Sequence, residues 1–195
     1  MGMPSTATKV TPEEYLERER AAEIRHEYRD GEIVAMSGAR RSHILIVTNL
    51  VGELRQRLRH RPCKVYSTDL RVASRSREFF TYPDVIVTCG EERYLDDEFD
   101  TLQNPVLIIE VLSKTTQRYD RGEKFARYQT LPSLLEYVLV AQDEVRIEQW
   151  TRQPDERWLL TEFRKMEATI ELASMAVSLP VAEIYEKVEL PGPTS

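Results

Sequence analysis

At 195 residues, the chain is long enough for one domain with a substantial core and short for two. Its 41% hydrophobic and 31% charged residues are an ordinary globular balance with no apolar run near the roughly 18 residues of a membrane span, and Met1 to Thr8 lacks the basic-then-apolar pattern of a secretory leader, so the expected compartment is the cytoplasm. A formal net charge of -6 argues against uniform attraction to nucleic acid and leaves the distribution of charge as the question.

Thr11-Pro12-Glu13-Glu14 predicts a helix start. Threonine caps, proline takes the first helical position and Glu14 closes a capping box. The helix is expected to reach about Arg25 and, being mostly polar, to pack weakly. His26 to Met36 reads as two short strands around the Asp30-Gly31 turn. A second helix is expected from about Ser42, because Val47, Leu50, Val51, Leu54 and Leu58 recur at spacings of three and four, and it must end before Pro62. Three strand-like runs follow: Cys63 to Ala73, Phe79 to Thr88 and Pro105 to Leu112. The last is apolar almost throughout and is expected at the centre of a sheet, covered on both faces. A third helix is expected over Asp120 to Gln129, then strands at Leu135 to Val140, Arg146 to Thr151 and Trp158 to Phe163. A short helix begins at Ser178-Leu179-Pro180, and Glu189 to Ser195 is expected to fray. The order predicts an α/β fold with a central mixed β-sheet flanked by helices, in a single unit over 1–195 with its core at about 11–188.

Charge is uneven along this order. From Arg40 to Arg77, ten basic residues (Arg40, Arg41, Arg55, Arg57, Arg59, Arg61, Lys64, Arg71, Arg75 and Arg77) stand against Glu53 and Asp69, a balance of +8. From Glu91 to Asp100 there are six acids and one arginine. The basic stretch can meet a phosphate backbone or form a solvated helix face. Cys63 and Cys89 form no CxxC motif. They exclude a disulfide framework and a cysteine-rich zinc site, and two buried free thiols are expected. His26, His43 and His60 lack zinc-binding spacing.

Two acids stand out. Glu110 interrupts Val106-Leu107-Ile108-Ile109 and Val111-Leu112, and Asp84 follows Pro83 at the head of Val85-Ile86-Val87. A carboxylate in such a run is costly to bury unless paired or bound to a cation. Two acids converging from adjacent strands would share a proton or a metal ion. The plainer reading is a pair of buried acids satisfied by Arg71 and Arg121.

On these residues the chain resembles the PD-(D/E)XK nucleases, through Tyr82-Pro83-Asp84-Val85 and Ile109-Glu110-Val111-Leu112-Ser113. The fuller pattern resembles the Uma-type putative restriction endonuclease family. His26 to Glu32, Asn104-Pro105 through Leu112-Ser113, Tyr119 to Lys124 and Glu136 to Val140 carry that likeness. The resemblance implies a restriction-endonuclease-like core and a metal-dependent DNA endonuclease. Asp84, Glu110 and the carbonyl of Val111 would hold Mg²⁺ or Mn²⁺. The superfamily's lysine position is Leu112 here, so the resemblance implies a lysine displaced to the following helix, Lys124, with Lys114 as its rival. Glu27 would be the acid ahead of the strands, or a surface carboxylate in a hairpin. His43 opens the second helix and either faces the site or makes one helix-start hydrogen bond. Asp120 is read as a helix cap. Double-stranded DNA and a second copy of the chain, in a homodimer, are the implied partners. The alternative is a catalytically degenerate scaffold that binds DNA or protein.

Overall fold

A computed structural model describes residues 9–36, 38–74 and 76–191. Met1 to Thr8, Arg75 and the end of the expected frayed tail lie outside the described residues. The first helix, α1 (Pro12–Ala21), opens with the expected capping box, in which Thr11 and Glu14 bond each other's backbone N–H groups. It ends four residues earlier than expected and packs more firmly, burying Tyr15, Leu16 and Glu19. The hairpin β1 (His26–Arg29) and β2 (Glu32–Ala35) turns at Asp30-Gly31, both with positive φ. At Gly31 a Cβ would lie 2.6 Å from that of Lys9, so glycine is required by both conformation and space.

The central sheet has six strands. Helix α2 (Arg41–Arg57) leads into β3 (Cys63–Ser67), β4 (Arg71–Ala73), β5 (Phe79–Thr81), β6 (Val85–Cys89), β7 (Thr101–Leu102) and β8 (Leu107–Leu112). Later come β9 (Glu136–Ala141), β10 (Ile147–Arg152) and β11 (Trp158–Phe163). Central strand order is β11-β10-β9-β8-β6-β3, with β8 and β9 parallel and every other pair antiparallel. Side-chain alternation along β8 sends Leu107, Ile109 and Val111 into a core with Ile46, Leu50 and Leu54 of α2. It sends Ile108 and Leu112 into a second core with Phe125, Tyr128 and Tyr137. The strand is buried on both faces, as its composition predicts.

The expected long runs are divided. Cys63 to Ala73 breaks after Ser67, where Thr68 takes a positive φ, and Phe79 to Thr88 breaks at Tyr82-Pro83-Asp84. The halves β4 and β5 belong to a separate five-stranded sheet, β2-β1-β5-β4-β7, which packs Tyr28, Ala73 and Phe80 on Tyr15 and Leu16 of α1. Proline lacks the N–H that would continue a ladder, so Pro83 suits the crossing, and Asp84 is left at the head of β6. A two-stranded sheet of β12 (Thr169–Leu172) and β13 (Val177–Pro180) precedes α5 (Val181–Ile184).

The expected third helix begins earlier and is not uniform. It consists of α3 (Gln117–Tyr119), a wide π-helical turn over Asp120–Lys124, and α4 (Phe125–Tyr128). The cysteines also depart from expectation. Cys63 and Cys89 face each other across β3 and β6 and form a disulfide. Strand register brings together two residues 26 apart, so the free-thiol expectation fails.

Candidate active site

The β6–β8 register pairs Val85 with Ile109, so its continuation by one residue sets Asp84 opposite Glu110. Alternation puts Glu110 on the Ile108 and Leu112 face and Asp84 on the Ile86 face, which is the same side of the sheet. Asp84 closes the end of the ladder with its side chain. Its Oδ2 accepts the Val111 N–H at 2.7 Å, and its Oδ1 lies 2.9 Å from His43 Nε2. The N–H and C=O of one strand residue project toward the same edge, so the Val111 carbonyl also points to the Asp84 side.

Glu110 is 5% exposed, and its Oε1 accepts two donors. The Tyr128 hydroxyl donates at 2.8 Å and the Lys124 ammonium lies at 2.7 Å. Lys124 is buried as well, with Glu27 Oε1 at 3.1 Å and Asp120 Oδ1 at 3.9 Å. Glu27 receives the Thr81 hydroxyl and Arg29 Nη2. Asp84, Glu110, Glu27, Asp120, Lys124 and His43 all line one cleft of about 950 Å³.

Electrostatics follow from one ammonium among several acids. Burial pushes the Glu110 carboxyl up to about 8, with Lys124 opposing and Asp84 and Asp120 reinforcing. Burial also disfavours the Lys124 ammonium, but Glu110, Glu27 and Asp120 outweigh it and hold it protonated well above its usual range. At Glu27 burial is outweighed by Lys124, Thr81 and Arg29, which hold the carboxyl near 2.

The expected site residues therefore meet. Glu27 is a buried member of the cluster rather than a hairpin surface acid, and His43 faces Asp84. Asp120 is not a cap: it lies inside the helical run, 4% exposed and four residues before Lys124. Lys114 is exposed on the cleft wall without an ion-pair partner among the described residues. Arg71 binds Asp100, Thr101 and Tyr82, and Arg121 binds Glu148, so neither satisfies the two acids. Sequence reasoning missed Tyr128, Thr81, Arg29 and Tyr119. The spacing Asp120, Lys124, Tyr128 is the one signal that could have found Tyr128.

Among the described residues, most of the basic stretch is committed to partners away from the cleft. Arg57 is held by Glu53, Glu183 and the Ser178 carbonyl, Arg61 by the Met175 and Ala176 carbonyls, and Lys64 by Glu92. Arg71 is buried and Arg77 pairs with Glu13. Arg75 lies outside the described residues, and of the stretch only Arg40 lines the cleft.

A divalent ion fits the donor set in a limited way. Among the described residues no three His, Cys, Asp or Glu side chains are grouped about one ion position. Two carboxylates and a carbonyl are hard oxygen donors of the kind Mg²⁺ takes while keeping waters and substrate oxygens.

Comparison with known proteins agrees with this architecture. A family model described as Uma2, putative restriction endonuclease, matches residues 12–182. Two uncharacterized proteins of Synechocystis sp., sll1609 and slr1290, are 34% and 36% identical over 177 residues, 91% of this chain and 100% and 92% of theirs. The crystal structure of a putative nuclease belonging to DUF820 from Anabaena variabilis superposes with a TM-score of 0.73 at 19% identity, covering 90% of this chain and 97% of that one.

Proposed function

The chain belongs to the Uma2 family of putative restriction endonucleases, and from that membership we propose that it hydrolyses DNA phosphodiester bonds in a metal-dependent reaction. One observation carries the reading: Lys124 reaches Glu110 at 2.7 Å and Glu27 at 3.1 Å in a cleft that Asp84 also lines. This placement supports Lys124, on the following helix, as the counterpart of the lysine absent at Leu112. Asp84, Glu110 and the Val111 carbonyl would hold Mg²⁺ or Mn²⁺. Such an ion supplies Lewis acidity toward a phosphate oxygen and makes a water acidic enough to attack near neutral pH. Lys124 offers a fixed positive charge to the phosphorane-like charge that develops on the substrate. Tyr128 and Glu27 hold that lysine and Glu110 in place, and His43 fixes the orientation of Asp84. Phe125, packed on Tyr137 and Trp158, and Arg127, paired with Asp30 and Glu123, do not line the cleft.

The test is nicking of supercoiled plasmid with Mg²⁺ or Mn²⁺. Wild-type protein is expected to convert plasmid to open circles, with Asp84→Ala and Lys124→Ala lowering the rate at least about 10²-fold. Equal nicking by wild type and Asp84→Ala would identify a contaminant. Binding without nicking under either metal would leave the alternative, a DNA-binding scaffold that has lost catalysis.

A further inference from the structure

With most of the basic stretch tied up elsewhere, few cations remain to meet a phosphate in the cleft. Arg25 pairs with Asp69, and Lys124, set between Glu110 and Glu27, is the cation assigned to the scissile phosphate. Arg40 and Lys114 are exposed, with no side-chain hydrogen bond or ion pair among the described residues. Arg29 differs from all of these. Its guanidinium carbon lies 3.6 Å from the centre of the Tyr119 ring, which holds the planar group flat against the cleft wall. Its hydrogen bond runs from Nη2 to Glu27, while Nε is buried with no partner among the described residues. The Tyr119 hydroxyl is likewise buried with no partner among the described residues.

Unpartnered buried donors also occur at Arg127, Ser133, Trp150 and Arg152, so what distinguishes Arg29 is its stacking on Tyr119 and its place on the cleft wall. With Nε buried and Nη2 bound to Glu27, the donors left to a phosphate oxygen are at the Nη1 end of a stacked, partly exposed guanidinium, which has no hydrogen bond from Nη1 among the described residues. We propose that Arg29, backed by Tyr119, is a backbone-phosphate subsite of the cleft, binding a phosphodiester adjacent to the one cleaved. The inference rests on the nuclease reading. It assigns Arg29 to binding and leaves the chemical step to the acids and Lys124. Glu27 couples the two, accepting from Arg29 on one oxygen and approaching Lys124 with the other.

The experiment is fluorescence anisotropy of a labelled mixed-sequence duplex, with Ca²⁺ replacing Mg²⁺, over a series of KCl concentrations. Each phosphate contact adds about 0.9 to the magnitude of the slope of log affinity against log salt. Arg29→Gln keeps a donor for Glu27 and is expected to reduce the slope by about 0.9; Tyr119→Leu, which frees the guanidinium, is expected to weaken binding without removing the charge. Tyr119→Leu also guards against misfolding of the Arg29 variant, since it leaves the Glu27 contact intact. Binding by wild type with an unchanged slope in Arg29→Gln and unchanged affinity in Tyr119→Leu would overturn the subsite and leave the nuclease reading standing. Failure of wild type to bind duplex at all would overturn both.

Discussion

Burial pushes the Glu110 carboxyl up to about 8 from an ordinary 4.5, so without metal it holds a proton near neutral pH that the unfolded chain has released. A group with a raised folded value stabilises fully below about 4.5 and loses that contribution as pH climbs toward about 8. In that window the unfolded state binds fewer protons, and stability falls by at most roughly 1.4 kcal/mol per pH unit. Glu27, held near 2, acts in the opposite sense: its contribution is present above 4.5 and is lost as pH falls toward 2. Urea unfolding in EDTA is therefore expected to show wild-type stability falling between about pH 5 and pH 8, with Glu110→Gln much flatter. Equal slopes in the two proteins would mean that Glu110 is ionised throughout. Lys124→Met makes a sharper demand. It leaves buried Glu27 and Asp120 without their ammonium, and a loss of about 3–5 kcal/mol is expected near neutral pH, recovering in part in acid as these two protonate.

The helical run from Gln117 to Tyr128 places Asp120, Lys124 and Tyr128 along the site, and its π-helical turn sets their direction. Sequence periodicity marks a helix there and names Lys124, but a widened turn is one surplus residue against a period of 3.6, and so short an amphipathic segment does not reveal it. The same limit hid Arg29 and Tyr119, whose contact joins β1 to α3 across residues remote in sequence. Gly122 lies within the turn, and a Cβ added there would meet nothing within 4 Å. Gly122→Ala is therefore expected to stabilise by about 0.5–1 kcal/mol and to keep plasmid nicking. Deleting Gly122 would draw the run toward a regular α-helix and rotate one side by about 100° relative to the other. Either Lys124 and Tyr128 leave Glu110 or Tyr119 leaves Arg29, and nicking is expected to fall on the order of 10²-fold with helix content retained. A deletion variant as active as Gly122→Ala would show that the wide turn does not set the geometry.

At the scale of the molecule, apolar density made β8 and the α2 stripe legible, and the Pro83-Asp84 and Glu110 anomalies pointed to the site. What stayed hidden is where the chain changes sheet. Cys63 to Ala73 and Phe79 to Thr88 each read as one strand because both halves are β-forming, and pairing partners, not composition, assign the halves. The disulfide was hidden for the same reason, since it follows from the register that sets Cys63 against Cys89. It ties β3, an edge strand, to β6 at the end of β6 remote from Asp84. Five residues of strand rise about 17 Å, so the bond and the acids stand at opposite ends of β6. Closing a 26-residue separation is worth roughly 3.5 kcal/mol in the chain-entropy account. Reduction, or the double variant Cys63→Ala and Cys89→Ala, is therefore expected to lower the urea midpoint while leaving nicking within about threefold of wild type. If reduction abolished nicking in protein still folded by circular dichroism, the acids would depend on the far end of β6, and the sheet would have to be treated as coupled along its length.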